Sequence, residues 1–207
     1  MACLLTVSLG VGAKSMKDLL VSMPDEVMPC LNKNMRLEFA ELQEMGVKAE
    51  VKNLLGEVSV MDTLTQDFVQ VRMSKVSTLQ MKKLPMENGD SVLCVVKSFA
   101  GPEKESELYF FNQEWKVLDA SRFLGGKRIE NLAETLIQKP DTMSESRFAD
   151  LKAMIEPKMV SALLFQNENA LVVRLASPLL SADDKKAVNV IKLQRQFNWS
   201  NGSFKES

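Results

Sequence analysis

Phe68-Val-Gln-Val-Arg-Met73 alternates apolar and polar residues without a break, and the segments on either side do the same. Glu57-Val-Ser-Val-Met61 precedes it and Ser77-Thr-Leu-Gln-Met81 follows it. A period of two belongs to a strand with one buried face, so Val69, Val71 and Met73 share the inner face while Gln70 and Arg72 face water. Short polar linkers join the three segments, as expected for an antiparallel meander. Next, Glu87-Asn88-Gly89-Asp90 forms a turn that leads into the unbroken apolar run Val92-Leu-Cys-Val-Val96. Such a run predicts a central strand covered on both faces. Gly101-Pro102 marks another turn, with strands expected at 108–111 and 115–118.

Upstream of the meander, 15–46 reads as helical. Ser15 and Asp18 have the spacing of a capping box, and Leu19, Leu20 and Met23 give a short apolar face. Pro24 ends that helix, and Pro29 keeps the stretch from being one continuous helix. A second helix is expected with Asn34 as its cap, Leu37, Ala40, Leu42 and Met45 as its apolar positions, and Gly46 as its stop. Downstream, Ile129, Leu132, Ala133, Leu136 and Ile137 follow helical spacing as far as Pro140, and a further helix spans 144–156. Strands return at 159–165 and 170–176, around the tight turn Gln166-Asn-Glu-Asn169. A short helix at 181–188 has Ser181 as its cap. The last strand is placed at 190–197, with Ile191, Leu193 and Phe197 on one face.

Helices, strands, helices and strands in separate runs argue for an α+β fold. The expected architecture is N-terminal helices, an antiparallel β-meander, and a second half of helices plus antiparallel strands. Residues 14–207 fit a single α+β domain, with a division into packed halves, 14–120 and 121–207, left open. The two halves share a short aromatic pattern, Phe111-Asn112 with Trp115 against Phe197-Asn198-Trp199, that two unrelated hairpins would also produce.

The first thirteen residues, Met1 to Ala13, carry no charge and end in the small-x-small step Val11-Gly12-Ala13. This is the pattern of a secretory signal peptide without its basic start, so the protein is expected to be exported, with cleavage after residue 13. No apolar run reaches the roughly 18 residues that cross a bilayer, so no transmembrane segment is expected in the mature chain.

Composition removes several function classes. Basic and acidic residues number 26 and 27 and alternate along the chain, leaving no block to grip phosphates or an anionic membrane. Nucleic acid is therefore not an expected partner. Histidine is absent from the whole sequence, which excludes Ser-His-Asp and Cys-His mechanisms within one chain and zinc sites of the His-rich type. Neither Ser-x-x-Lys nor a Gly-x-Ser-x-Gly elbow occurs. Cys3 would leave with the signal peptide, so Cys30 and Cys94 remain, either bridged or, for Cys94 within its apolar run, as a small core residue.

Local motifs offer little chemistry. Gly125-Gly126-Lys127 lacks the spacing of a phosphate loop, and Arg128 stands where that loop needs Ser or Thr. Glu103, Glu105 and Glu107 lack the glycine-centred spacing of a calcium loop. Asp183-Asp184 suits the first turn of a helix better than a catalytic pair. Asn198-Trp-Ser200 and Asn201-Gly-Ser203 match the glycosylation pattern. The sequence therefore gives no catalytic residue, no metal ligand and no cofactor. Trp115, Trp199, Tyr109 and Phe204 are the candidate partner-binding surface, because aromatics in polar surroundings anchor protein and carbohydrate contacts.

Four stretches carry a resemblance to a known family. They are Asp18-Leu-Leu-Val-Ser-Met-Pro-Asp25, Asn32-Lys-Asn-Met-Arg-Leu37, Lys48-Ala-Glu-Val-Lys-Asn-Leu-Leu-Gly56 and Val92-Leu-Cys-Val-Val-Lys97. Together they resemble an exported Bacteroidales family, domain of unknown function 3256, from about Ser15 to the C-terminus. The resemblance implies a signal peptide and this overall architecture, and it implies no catalytic or binding residue. The family pattern has a second glycine after the position of Gly56, where this chain has Glu57, and a second cysteine near Glu103 that is missing here. A bridge from Cys94 is accordingly in doubt. The resulting expectation is a non-catalytic binding or interaction module of the periplasm or cell envelope, with an envelope protein or glycan as partner. The alternatives are a carboxylate-based hydrolase of an envelope polymer or glycan, and an enzyme inhibitor.

Overall fold

The computed structural model describes residues 14–191 and 193–206, apart from the side chains of Glu130 and Ala133. The expected signal peptide at 1–13, with Cys3, lies outside the described residues. Two helices, α1 (Met16–Val21) and α2 (Lys33–Glu44), precede a seven-stranded antiparallel sheet whose spatial order is its chain order. Its strands are β1 (Glu50–Lys52), β2 (Val58–Leu64), β3 (Phe68–Arg72), β4 (Ser77–Pro85), β5 (Ser91–Phe99), β6 (Glu105–Phe111) and β7 (Val117–Leu118). A 3-10 turn at Ala120–Phe123 and helices α3 (Ile129–Leu136) and α4 (Glu145–Ala153) lead to β8 (Met159–Leu164) and β9 (Ala170–Ala176). Helix α5 (Ala182–Val188) is followed by β10 (Gln194–Ser200) and β11 (Ser203–Glu206). The last four strands form a second antiparallel sheet, ordered β11-β10-β9-β8. The α+β expectation is thus met, helices first and meander next.

The central strand behaves as its unbroken apolar run predicts. All five residues from Val92 to Val96 are buried. Because side chains alternate across a strand, Leu93 and Val95 enter one cluster while Val92, Cys94 and Val96 enter the other. The first cluster joins α1 and the 23–31 segment to one face of the seven-stranded sheet, with Leu19, Leu20, Met28 and Phe39 against Val69, Val71 and Leu79. The second joins the opposite face to α3, α4 and the smaller sheet, with Cys94 and Phe110 in the same cluster as Leu136, Leu151, Leu171 and Val173.

Several expectations need correction. The cap of α2 is Asn32, whose side chain accepts from Met35 N at 3.1 Å, and Asn34 lies within the helix. Its buried face is Arg36, Phe39 and Ala40, while Leu37 and Met45 are exposed. Ala40 and Leu42 face the core as expected, and Leu37 and Met45 do not, because the buried stripe contains an arginine. Arg36 donates from Nη1 to Asp25 Oδ1 at 2.8 Å and to the Leu31 carbonyl, and from Nη2 to the Met23 carbonyl, closing the loop that Pro24 and Pro29 break open.

The strand expected at 190–197 is β10, which begins at Gln194, four residues later than expected, and is the first arm of a hairpin with β11. Asn201 (φ 51°) and Gly202 (φ 73°) are its two turn residues, flanked by the pair Ser200 and Ser203. Consecutive left-handed residues at an Asn-Gly step give the primed turn that suits strand twist. This hairpin also dissolves the aromatic match between halves, since Trp199 sits in a strand and Trp115 in a turn. Finally, Cys30 and Cys94 are both free, because they belong to the two opposite faces of the large sheet. Burial pushes the Cys94 thiol far above its ordinary pKa.

Candidate functional site

The two sheets meet edge on face. Strand β8 is an edge of the smaller sheet, and its outward backbone groups are taken by side chains of the larger one. Leu164 N donates to Gln80 Oε1 at 3.0 Å and Gln80 Nε2 donates to Leu164 O at 3.2 Å. Ala162 N donates to Ser106 Oγ at 3.1 Å, and Lys82 Nζ reaches Gln166 O at 2.7 Å. Gln80, Lys82 and Ser106 are all buried polar residues on one face of the large sheet. An edge strand presents unpaired backbone groups that would otherwise recruit another strand. Here a row of side chains substitutes for a neighbouring strand.

This junction leaves a re-entrant angle, a cleft of about 410 Å³. One wall belongs to the large sheet. Strand register places Arg72 beside Thr78, Thr78 beside Ser98 and Ser98 beside Ser106, a cross-strand polar row over β3 to β6. Gln70 and Gln80 run alongside it, with Gln80 Nε2 donating to Gln70 Oε1 at 2.8 Å. Gln70 and Arg72 therefore line a cleft instead of a free surface. The other wall is the outer face of the small sheet, where Ser161, Arg174 and Gln194 are direct cross-strand neighbours and Leu163, Val172 and Ala176 add aliphatic surface. Glu103 and Lys104, from the β5–β6 loop, complete the lining.

The charges divide unevenly. Arg72 grips Asp62 through two nitrogens, at 2.9 Å from Nε and 2.7 Å from Nη2. Partial burial alone would raise the Asp62 carboxyl, but the bonds from Arg72 and Gln70 outweigh it and hold the carboxyl below its ordinary value. Lys185 pairs with Glu103 at 2.7 Å. Arg174 and Lys104 have no hydrogen-bonding or ionic partner among the described residues, and both are exposed. Each carboxylate near the cleft is already held, so two positive charges remain uncompensated.

The large sheet separates the four aromatic candidates into two pairs. Trp115 is buried in the helix-side cluster at 9% exposure, its ring 5.2 Å from Phe111 and its Nε1 donating to Ser22 Oγ at 3.3 Å. Its φ of 63° is costly for a tryptophan and persists because packing fixes it. Tyr109 is on the same face as Phe111 and is exposed, with its hydroxyl donating to Glu107 at 3.1 Å. On the other side, Phe204 is buried at 4% and lies edge-on to half-buried Trp199 at 5.0 Å. Trp199 stacks on Phe123 and donates to Pro85 O at 2.7 Å. Trp115 and Phe204 are therefore packing residues, a correction to the partner-surface expectation, and the four do not form one surface. Sequence reasoning missed the cleft because its residues become neighbours only through strand register and sheet docking.

Among the described residues, no three metal-ligating side chains gather in one place, and no helix is long and apolar enough to cross a membrane. Glu103 and Lys104 have their chemistry on the cleft rim, and Glu103 is held by a lysine and not poised with Glu105 or Glu107 around an ion. Asp183 and Asp184 stand in the first turn of α5, where Ser181 Oγ donates to Asp184 at 2.6 Å.

Fold and cleft together define an α+β protein in which a small antiparallel sheet stands on the face of a larger one. The chain belongs to the family described as Protein of unknown function (DUF3256), whose model matches residues 8–204. This agrees with the resemblance read from the four stretches. A solved domain of an uncharacterized protein from Porphyromonas gingivalis has the same fold, with a TM-score of 0.75 and 22% identity over 94% of this chain and 100% of that one. No curated protein matches the chain.

Proposed function

We propose that this is a non-catalytic interaction module of the periplasm or cell envelope, with the inter-sheet cleft as its binding surface. One observation carries the reading. Arg174 and Lys104 line a concave surface with no partner of their own among the described residues, beside Thr78, Ser161 and Gln194, whose side chains are likewise uncommitted there. Unspent hydrogen-bonding groups gathered in a cleft are what a polar ligand requires. The hydrolase reading has less support, since glycoside hydrolysis uses two carboxyl groups about 5–10 Å apart across a substrate. Among the described residues Glu103 is the one carboxylate lining the cleft, and Lys185 holds it. Export rests on the uncharged segment 1–13 and on the family resemblance.

A photo-crosslinking residue at Gln194, with another at exposed Lys152 on α4 as control, tests the reading in cells. A partner captured from position 194, lost on Arg174→Glu and absent from position 152, supports it. Equal capture at both positions counts against the cleft. The mature N-terminus, read by mass spectrometry, is expected at Lys14; a chain retaining Met1 would remove the envelope assignment.

A further inference from the structure

We infer that the cleft's occupant is an extended protein segment in which a carboxylate side chain is flanked by aliphatic ones. The inference rests on the interaction reading above and adds the chemistry of the partner. Its first ground is charge. Around the cleft Arg72, Lys104, Arg174 and Lys185 outnumber the carboxylates beside them: Asp62 and Glu103 are already paired, and Glu50, which also acts on Arg72, is paired with Lys48. The unsatisfied guanidinium of Arg174 presents a planar fork that suits a carboxylate.

Spacing is the second ground. Along β9 the residues on this face are Val172, Arg174 and Ala176, with Leu163 on the neighbouring strand 42% exposed. Same-face residues of a strand recur every ~7 Å. An extended peptide has the same repeat, so its apolar, acidic and apolar side chains can lie over the aliphatic, cationic and aliphatic positions of this wall. The opposite wall offers Thr78, and Ser161 and Gln194 on the strands either side of Arg174 offer their side chains, to peptide amides.

Composition is the third ground, and it separates a peptide from a sugar. Among the described residues the cleft lining contains no aromatic one, while its aliphatic strip gives branched side chains a surface to pack against. A purely anionic polymer would leave that strip uncovered.

The test is an amide-resonance titration of the full chain with four probes. Three are the acetylated, amidated pentapeptide Ala-Val-Glu-Val-Ala and its counterparts with Gln or Lys at the centre; the fourth is a uronate trisaccharide. The Glu peptide is expected to move the amides of Thr78, Ser161 and Arg174, and the Gln peptide to bind about fivefold more weakly, as expected for one solvent-accessible charge pair. Arg174→Glu, at an exposed position, is expected to reverse the preference towards the Lys peptide. Equal binding of the Glu and Gln peptides, or occupation of the cleft by the uronate alone, overturns the inference while the cleft remains a binding surface. No cleft shift with any probe at millimolar concentration overturns both readings.

Discussion

Replacing Gln80 with leucine separates the two sheets chemically while keeping the side chain's size. Gln80 and Leu164 are both buried, at 6% and 2% exposure. The amide of Gln80 satisfies both backbone groups of Leu164 that face away from β9, at 3.0 and 3.2 Å. Leucine can do neither, so one N–H and one C=O lose their partners in a dry position. Each such loss costs about 1–3 kcal/mol. Burying the added apolar surface returns about 1–2 kcal/mol. The net expectation is a destabilisation of about 1–4 kcal/mol, which lowers the melting temperature by roughly 3–12 °C in a chain of this size. Urea unfolding followed by tryptophan fluorescence gives the free energy, and hydrogen exchange at the Leu164 amide gives the location. Thr78→Val, on the same strand and without hydrogen-bond partners, serves as the control and should leave both unchanged. If Gln80→Leu unfolds at the wild-type midpoint and Leu164 keeps its protection, the side-chain substitute for a neighbouring strand is wrong.

Three further expectations follow from particular groups. Arg36→Met leaves the Met23 and Leu31 carbonyls without their donor inside the helix-side core, and should cost about 2–5 kcal/mol in urea unfolding; wild-type stability would show that the guanidinium is dispensable. Asp62 has a depressed pKa in the folded state, so its contribution is fully present above the unfolded value near 4 and is lost as pH falls through the lower folded value. Stability is thus expected to drop between pH 5 and pH 3 by more in wild type than in Asp62→Asn, and parallel profiles would contradict this. Cys94 is fully buried and unbridged, so a thiol reagent should leave it unmodified until denaturant is added, and reductant should not shift the melting temperature. Rapid native labelling of Cys94 would count against its burial.

Much of the fold was legible because its signals are local. The capping box of Ser15 and Asp18 is formed, with the Asp18 amide donating to Ser15 Oγ at 3.0 Å and the Ser15 amide donating to Asp18 Oδ2 at 3.3 Å. The strands on either side of the Gln166–Asn169 turn appear where their apolar residues cluster. Misreadings arose where a distant partner outweighed the local pattern. Arg36 occupies the stripe assigned to Leu37 and Met45 because carbonyls of the 23–31 segment satisfy it. Trp115 reads as an exposed anchor in sequence, yet Phe111 and Ser22 take it into the core. Two local signals also lay in the sequence, the Asn201-Gly202 hairpin turn, which overlaps a glycosylation pattern, and the Asn32 cap, two residues before Asn34.

The sequence by itself determined the order of helices and strands, the doubly covered strand from Val92 to Val96, the absence of histidine chemistry and the family. Periodicity and turn residues act over a few positions, and composition needs no coordinates at all. Tertiary structure decided the rest. Gln80, Lys82 and Ser106 are ordinary polar residues in a list, and only the approach of β8 makes them the seam between sheets. Arg174 and Lys104 line one cleft although they lie 70 positions apart in the chain. Their lack of partners among the described residues is a property of everything that surrounds them, which no stretch of sequence contains.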